Sequence, residues 1–125
     1  MSQANRLVLQ AANAAIRQGD YEGFLAFCTD DAVWTFVGER TLTGKDAVRR
    51  WMATAYREPP RFTVAQLISD GDFVVALGEI TTTSDDGQTA RSSYCDVWHF
   101  RAGKLAELRA FVVEIQSENE PAGSA

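Results

Sequence analysis

A chain of 125 residues, 46% of them hydrophobic, has room for one folded domain and enough apolar surface for a core, which excludes a disordered chain. Twelve Lys and Arg against 17 Asp and Glu leave a net charge of −5 with no basic stripe, which argues against nucleic acid and anionic membranes as partners. Two separate cysteines, Cys28 and Cys95, and a single histidine offer no metal-ligand spacing, so no metal and no cofactor is expected. Each cysteine sits among apolar residues, as a small buried hydrophobe does, and nothing in the spacing demands a disulfide. Residues 1–6 are polar and lack the apolar core of a signal peptide, and no apolar run reaches membrane length, so a cytoplasmic protein is expected.

The first predicted helix covers about residues 3–18, capped by Ser2, with Leu7, Ala11, Ala14 and Ala15 at helical spacing. Gly19 ends it, and Asp20 caps a short second helix in which Tyr21, Phe24, Leu25 and Cys28 share a face. Thr29, Asp30 and Asp31 read as a polar break. Residues 32–37 then read as a strand closed by Gly38. A loop over residues 40–44 leads to a third helix, residues 45–56, with Val48, Trp51, Met52, Ala55 and Tyr56 on its apolar face. Pro59 and Pro60 stop that helix.

From Arg61 the pattern turns to strands: residues 61–68, 72–83, 88–101 and 104–115. The turns between them are Ser69-Asp70-Gly71, Ser84-Asp85-Asp86-Gly87 and Ala102-Gly103, so the strands form an antiparallel meander. Residues 117–125 are polar and are expected to be a mobile tail behind a domain of residues 1–116. Helices ahead of strands make the class α+β. Phe73, Val75 and Leu77 fall on one side of their strand, with Val74, Ala76 and Ile80 on the other. Such two-sided apolarity implies helices on one face and a partner on the other, most economically a homodimer through the sheet.

Two series of motifs point further. One is Gly19-Asp20 with an aromatic next, Phe24-Leu25, Asp30-Asp31-Ala32-Val33-Trp34 and Gly44-Lys45-Asp46-Ala47-Val48. The other runs from Tyr94 through Asp96-Val97-Trp98-His99 to Gly103-Lys104-Leu105. In order and spacing they resemble the SnoaL-like and ketosteroid-isomerase-like proteins of the nuclear transport factor 2 superfamily, over about residues 5–115. The resemblance implies a cone: a curved antiparallel sheet and three N-terminal helices around an apolar pocket, usually in dimers. It does not fix an activity, because one fold hosts many chemistries.

Residue by residue, the resemblance carries over only in part. The carboxylate base of ketosteroid isomerases matches Phe36, and their first-helix tyrosine matches Ala12. Their second oxyanion donor, an aspartate, matches Asp96. An aspartate kept neutral by an apolar site in those enzymes is an established example. Epoxide hydrolases of the same fold need an Arg-x-Asp where this chain has Leu77-Gly78-Glu79-Ile80, and an aspartate where it has Ala110. In the cyclase branch the inward acid or base matches Asp96 and, less well, His99.

Asp96 alternates onto one face with Tyr94, Trp98 and Phe100. It is either a pocket acid whose pKa rises by lost hydration or a carboxyl held by a structural hydrogen bond. Tyr94 is the second catalytic candidate. Trp34, Phe36, Trp51, Tyr56, Trp98, Ala110 and Val112 are the expected pocket walls, a role compatible with ordinary core packing. His99 points away from Asp96, toward a surface or interface. Glu79 is read as the ion-pair partner of Arg91 or Arg109, the alternative being a pocket acid. Three functions stay open: a cofactor-free isomerase, cyclase or hydrolase of an apolar substrate; a non-catalytic ligand-binding protein; and a dimeric interaction module.

Overall fold

In the computed structural model, which describes residues 2–84 and 86–115, the chain opens with α1 (Ser2–Arg17). The tail expected at 117–125 and Asp85 lie outside the described residues. Helix α1 buries Leu9, Ala12 and Ile16, with Asn5 on the same stripe. Leu7 is 56% exposed, and Ala11 and Ala14 face solvent. Of the stripe expected from Leu7, Ala11, Ala14 and Ala15, Ala15 alone packs against the core. An alanine-rich helix carries two apolar stripes. The one with Leu9 and Ile16 removes more apolar area from water, at about 25 cal/mol per Å².

Gly19, at φ +76°, ends α1 in the left-handed region, and the amides of Gly19 and Asp20 close back on Ile16 and Ala15. Asp20 then caps α2 (Tyr21–Leu25), its carboxylate accepting from the Gly23 amide at 2.9 Å.

Strand β1 (Cys28–Phe36) begins four residues before the expected start, and Thr29, Asp30 and Asp31 belong to it rather than to a break. Their polarity is accommodated by cations: Asp30 lies 3.4 Å from Lys45, and Asp31 accepts from Arg101. Residues 40–43, expected as loop, form the edge strand β2 (Arg40–Thr43), antiparallel to β1. Gly38, at φ +84°, turns the chain back so that Thr41 and Thr43 can pair with Thr35 and Val33. Helix α3 (Lys45–Ala55) buries Val48 and Met52 and stops ahead of Pro59 and Pro60.

The meander follows as expected: β3 (Arg61–Asp70), β4 (Phe73–Thr83), β5 (Thr89–Arg101) and β6 (Lys104–Glu114). The curved, unclosed sheet runs β2-β1-β6-β5-β4-β3. Strands β1 and β6 pair in parallel, setting Trp34 beside Leu108 and Phe36 beside Ala110. The inner face packs Val74, Trp98, Phe100 and Leu108 against Leu9, Phe24, Leu25 and Met52. Ile68, Phe73, Phe111 and Val113 remain exposed on the other side of the sheet. Cys28 is buried and Cys95 half-buried, and both are free thiols. No described helix is long and apolar enough to cross a membrane.

The β5–β6 turn holds Ala102 at φ +53° before Gly103 at φ +79°. A side chain in that region costs about 1–2 kcal/mol, less for Asn. Ala102→Asn is expected to stabilise the chain by about 0.5–1 kcal/mol. Urea unfolding would show a higher midpoint at unchanged slope; an unchanged or lower midpoint would mean that the turn carries no strain.

Candidate functional site

Strand β5 carries the candidate side chains Tyr94, Asp96 and Trp98, and its register decides what surrounds each of them. Trp98 lies between Val74 and Leu108, Asp96 between Ala76 and Ala110, and Tyr94 between Gly78 and Val112. Alternation puts all three on the inner face, in layers about 7 Å apart at roughly 3.4 Å of strand rise per residue. Alanine on both sides of Asp96 leaves the space above its carboxyl unfilled.

That space is a cavity of about 90 Å³, with Trp98 and Phe24 at one end and Tyr94, Phe62 and Val112 toward the other. Val112 is 48% exposed although it lines the cavity, so the rim opens on its side. Of the expected walls, Trp34, Phe36, Tyr56, Trp98, Ala110 and Val112 line this space, together with Tyr94 and Asp96. Trp51 lies outside it. Its ring supports the wall from behind, with centroids 5.9 Å from Trp34 and 4.9 Å from both Phe36 and Tyr56. The far side of Trp51 borders a separate groove with Arg40 and Arg50.

Asp96 is the one carboxyl among the cavity-lining residues, and it has no hydrogen-bond partner among the described residues. Burial raises its pKa from the ordinary 3.8 to about 7, because the apolar wall disfavours the charged form. Burial likewise raises both nearby phenols, and the charge of Asp96 adds to it; Tyr94 reaches about 12, while Tyr56 is held firmly protonated. Both are thus hydrogen-bond donors at any ordinary pH. Tyr94 donates to the Thr63 carbonyl at 3.3 Å, whereas the Tyr56 hydroxyl has no partner among the described residues. The backbone of Tyr56 is fixed from outside, its carbonyl accepting from the Tyr21 hydroxyl at 2.7 Å.

Gly78 makes the Tyr94 contact possible. A Cβ there would stand 2.0 Å from the Thr63 carbonyl oxygen and 2.8 Å from the Tyr94 hydroxyl. The absence of a side chain lets β3 and the phenol close over β4, next to the bulge between Val64 and Gln66.

Asn13 also lines the cavity, and sequence reasoning missed it. The cause is the helical phase: with the buried stripe on Leu9, Ala12 and Ile16, position 13 turns toward the sheet interior. Ala12, which matches the isomerase tyrosine, is fully buried in the core. His99 stands apart from the site, 3.5 Å from Glu107 and with its ring 4.7 Å from that of Phe73. Glu79 lies 3.9 Å from Arg91, the ion-pair reading. Among the described residues no three His, Cys, Asp or Glu side chains gather as metal ligands.

The comparisons with known proteins agree with this architecture. The chain is similar in structure to an NTF2-like protein of unknown function from Burkholderia pseudomallei, with a TM-score of 0.76 and 26% identity over 88% of this chain and 90% of the other. TerC, co-crystallised with polyporic acid, gives a TM-score of 0.74 at 24% identity, covering 86% and 90%. A Mycobacterium tuberculosis protein in complex with estradiol-17β-hemisuccinate gives 0.77 at 20% identity, covering 89% and 94%. No curated protein matches the sequence significantly. The family model of the SnoaL-like domain matches residues 9–108. With helices α1 to α3 on the inner face of a curved six-stranded sheet, the chain belongs to the SnoaL-like domain family and has the NTF2-like fold.

Proposed function

We propose that this protein binds a small, mostly apolar molecule in the cavity and carries out cofactor-free acid–base chemistry on it: isomerisation, cyclisation or hydrolysis. The observation that carries this reading is a carboxyl and a phenol, Asp96 and Tyr56, both without hydrogen-bond partners among the described residues and both facing one apolar cavity. An unpaired polar group in such a place costs about 1–3 kcal/mol, which a ligand with matching groups would offset.

A carboxyl with a pKa near 7 exists in both forms at neutral pH. Ionised, Asp96 can take a proton from a carbon beside a carbonyl. Protonated, it can return that proton to another atom of the substrate. One residue then serves as base and acid, which the apolar Phe36 and Ala110 cannot. The phenols of Tyr56 and Tyr94 would donate to the oxygen on which charge develops. Two similar structures contain molecules with apolar rings and acidic groups, polyporic acid and estradiol-17β-hemisuccinate, in keeping with this ligand class. At about 90 Å³ the cavity is smaller than the roughly 300–1,000 Å³ of most ligand sites, so a multi-ring occupant needs the rim side chains Phe62, Ile80 and Val112 to swing outward.

The second reading is binding without turnover. It is favoured by a specific feature: two positions that hold carboxylates in related enzymes are Phe36 and Ala110, both on the cavity wall. On either reading we propose a homodimer through the outer sheet face, where Phe111 is 41% and Val113 68% exposed.

Ligand binding is tested by thermal shift with neutral and acidic polycyclic compounds on wild type, Asp96→Ala and Tyr56→Phe. A compound at 100 times its dissociation constant adds about 2.7 kcal/mol, a rise of several degrees. The expected result is a shift in wild type that shrinks in both variants, followed by turnover in wild type alone. A full compound panel without any shift would remove the ligand-binding reading. The state of Asp96 is checked by pH. The folded chain keeps its proton up to about pH 7, the unfolded chain only to about pH 3.8. Stability from this group is therefore complete below about pH 4 and falls as pH rises to about 7. The difference in urea midpoint between wild type and Asp96→Asn is expected to drop across that window and level off above it; a flat difference would mean that burial does not raise the carboxyl. For the dimer, sedimentation should give twice the chain mass for wild type and the chain mass for Val113→Glu; a monomeric wild type contradicts it.

A further inference from the structure

The face of α1 turned toward β3 carries Arg6, Gln10, Asn13 and Arg17, spaced so that they form one stripe along the helix. Together with residues 64–67 of β3 they line a groove of about 310 Å³. Two arginines and three amides, counting Gln66, line it, and no carboxylate does. In a chain of net charge −5 that is a local reversal of sign. Neither Arg6 nor Arg17 forms an ion pair among the described residues.

The groove adjoins the cavity. Asn13 lines both hollows. Arg17 ties the groove to the rim: its guanidinium carbon lies 4.1 Å from the centroid of the Phe62 ring, which lines the cavity. Its Nη2 also donates to the Phe62 carbonyl at 3.4 Å. Through Tyr94 the charge of Arg17 is felt inside, where it opposes the upward push of burial on the phenol.

We infer that the groove between α1 and β3 is an anion subsite of the cavity: the ligand places its apolar body against Asp96 and Tyr56 and a carboxylate beside Arg17, with Asn13 between them. This rests on the proposed ligand-binding role of the cavity. The physical case is economy of charge. A carboxylate pushed against Asp96 would meet a like charge whenever Asp96 is ionised. Beside Arg17 it meets a cation whose partners among the described residues are a carbonyl and a ring, and a guanidinium can hold both carboxylate oxygens at once. Its position at the rim also leaves the carboxylate partly hydrated, which keeps the desolvation cost low.

The test uses 4-phenylbutyrate and its neutral analogue 4-phenylbutyramide, whose bodies match and whose chains are long enough to reach from cavity to rim. Binding is measured by calorimetry on wild type, Arg17→Gln and Arg17→Lys at about 20 mM and 500 mM salt. The acid is expected to bind wild type about two- to fivefold more tightly than the amide at low salt, the upper part of the range of an exposed ion pair. High salt should erode that preference. Arg17→Gln should abolish it while leaving amide binding unchanged, and Arg17→Lys should retain part of it. Equal binding of acid and amide by wild type overturns the anion subsite and leaves the cavity reading intact. Loss of both ligands in Arg17→Gln and Arg17→Lys alike also overturns it, because Arg17 would then act only by holding Phe62 in place. Binding of neither compound by wild type overturns both readings.

Discussion

Parallel pairing of β1 with β6 brings the first half of the chain against the meander, and the cavity follows from that single junction. It sets Trp34 beside Leu108 and Phe36 beside Ala110. Trp34 then meets Phe24 and Trp98, each with ring centroids 5.7 Å away, at steep interplanar angles. Such edge-on packing of large rings is favourable by roughly 0.5–1.5 kcal/mol per pair beyond area burial. It is also rigid, which lets the wall stay open in front of Asp96. A wall of flexible aliphatic side chains would close on the space instead.

The same wall also changes the acid. Asp96 has short neighbours on both sides and aromatic rings beyond them, and no hydrogen bond among the described residues replaces its lost hydration. Its burial therefore costs stability at neutral pH and brings its titration near neutrality. Tyr56 and Tyr94 stand under the same constraint and answer it differently: burial favours the neutral form of each phenol, which is already its ordinary form, so they remain donors. Three groups in one cavity thus divide into one that titrates near neutrality and two that do not, a division that burial alone produces.

The legible parts of the chain were those governed by local chemistry. Gly19 and Asp20 marked the end of one helix and the cap of the next, and the residues that can only turn, Gly71, Gly87 and Gly103, marked the meander. Asp96, Tyr94 and Trp98 could be put on one face because strand alternation is strict. What alternation does not show is which strands lie side by side over a distance. Strand β2 looks like loop in the sequence because four residues with little apolar content signal an edge strand only once β1 is beside them. The early start of β1 was hidden by Asp30 and Asp31, whose cations come from Lys45 and Arg101, far along the chain. In α1 the periodicity was visible but its phase was not, since alanine fits either stripe. That one ambiguity concealed Asn13 and, with it, the connection between cavity and groove.

Gly78 has a consequence for variation in this protein. Any side chain at that position would run into the carbonyl of Thr63, a backbone atom that cannot swing aside. Position 78 is therefore closed to side chains, whereas the nearby cavity wall can vary at Phe62, Ile80 and Val112, which line it. Substitutions that reshape the cavity belong at those wall positions, because a side chain at residue 78 would displace β3 and the Tyr94 hydroxyl together.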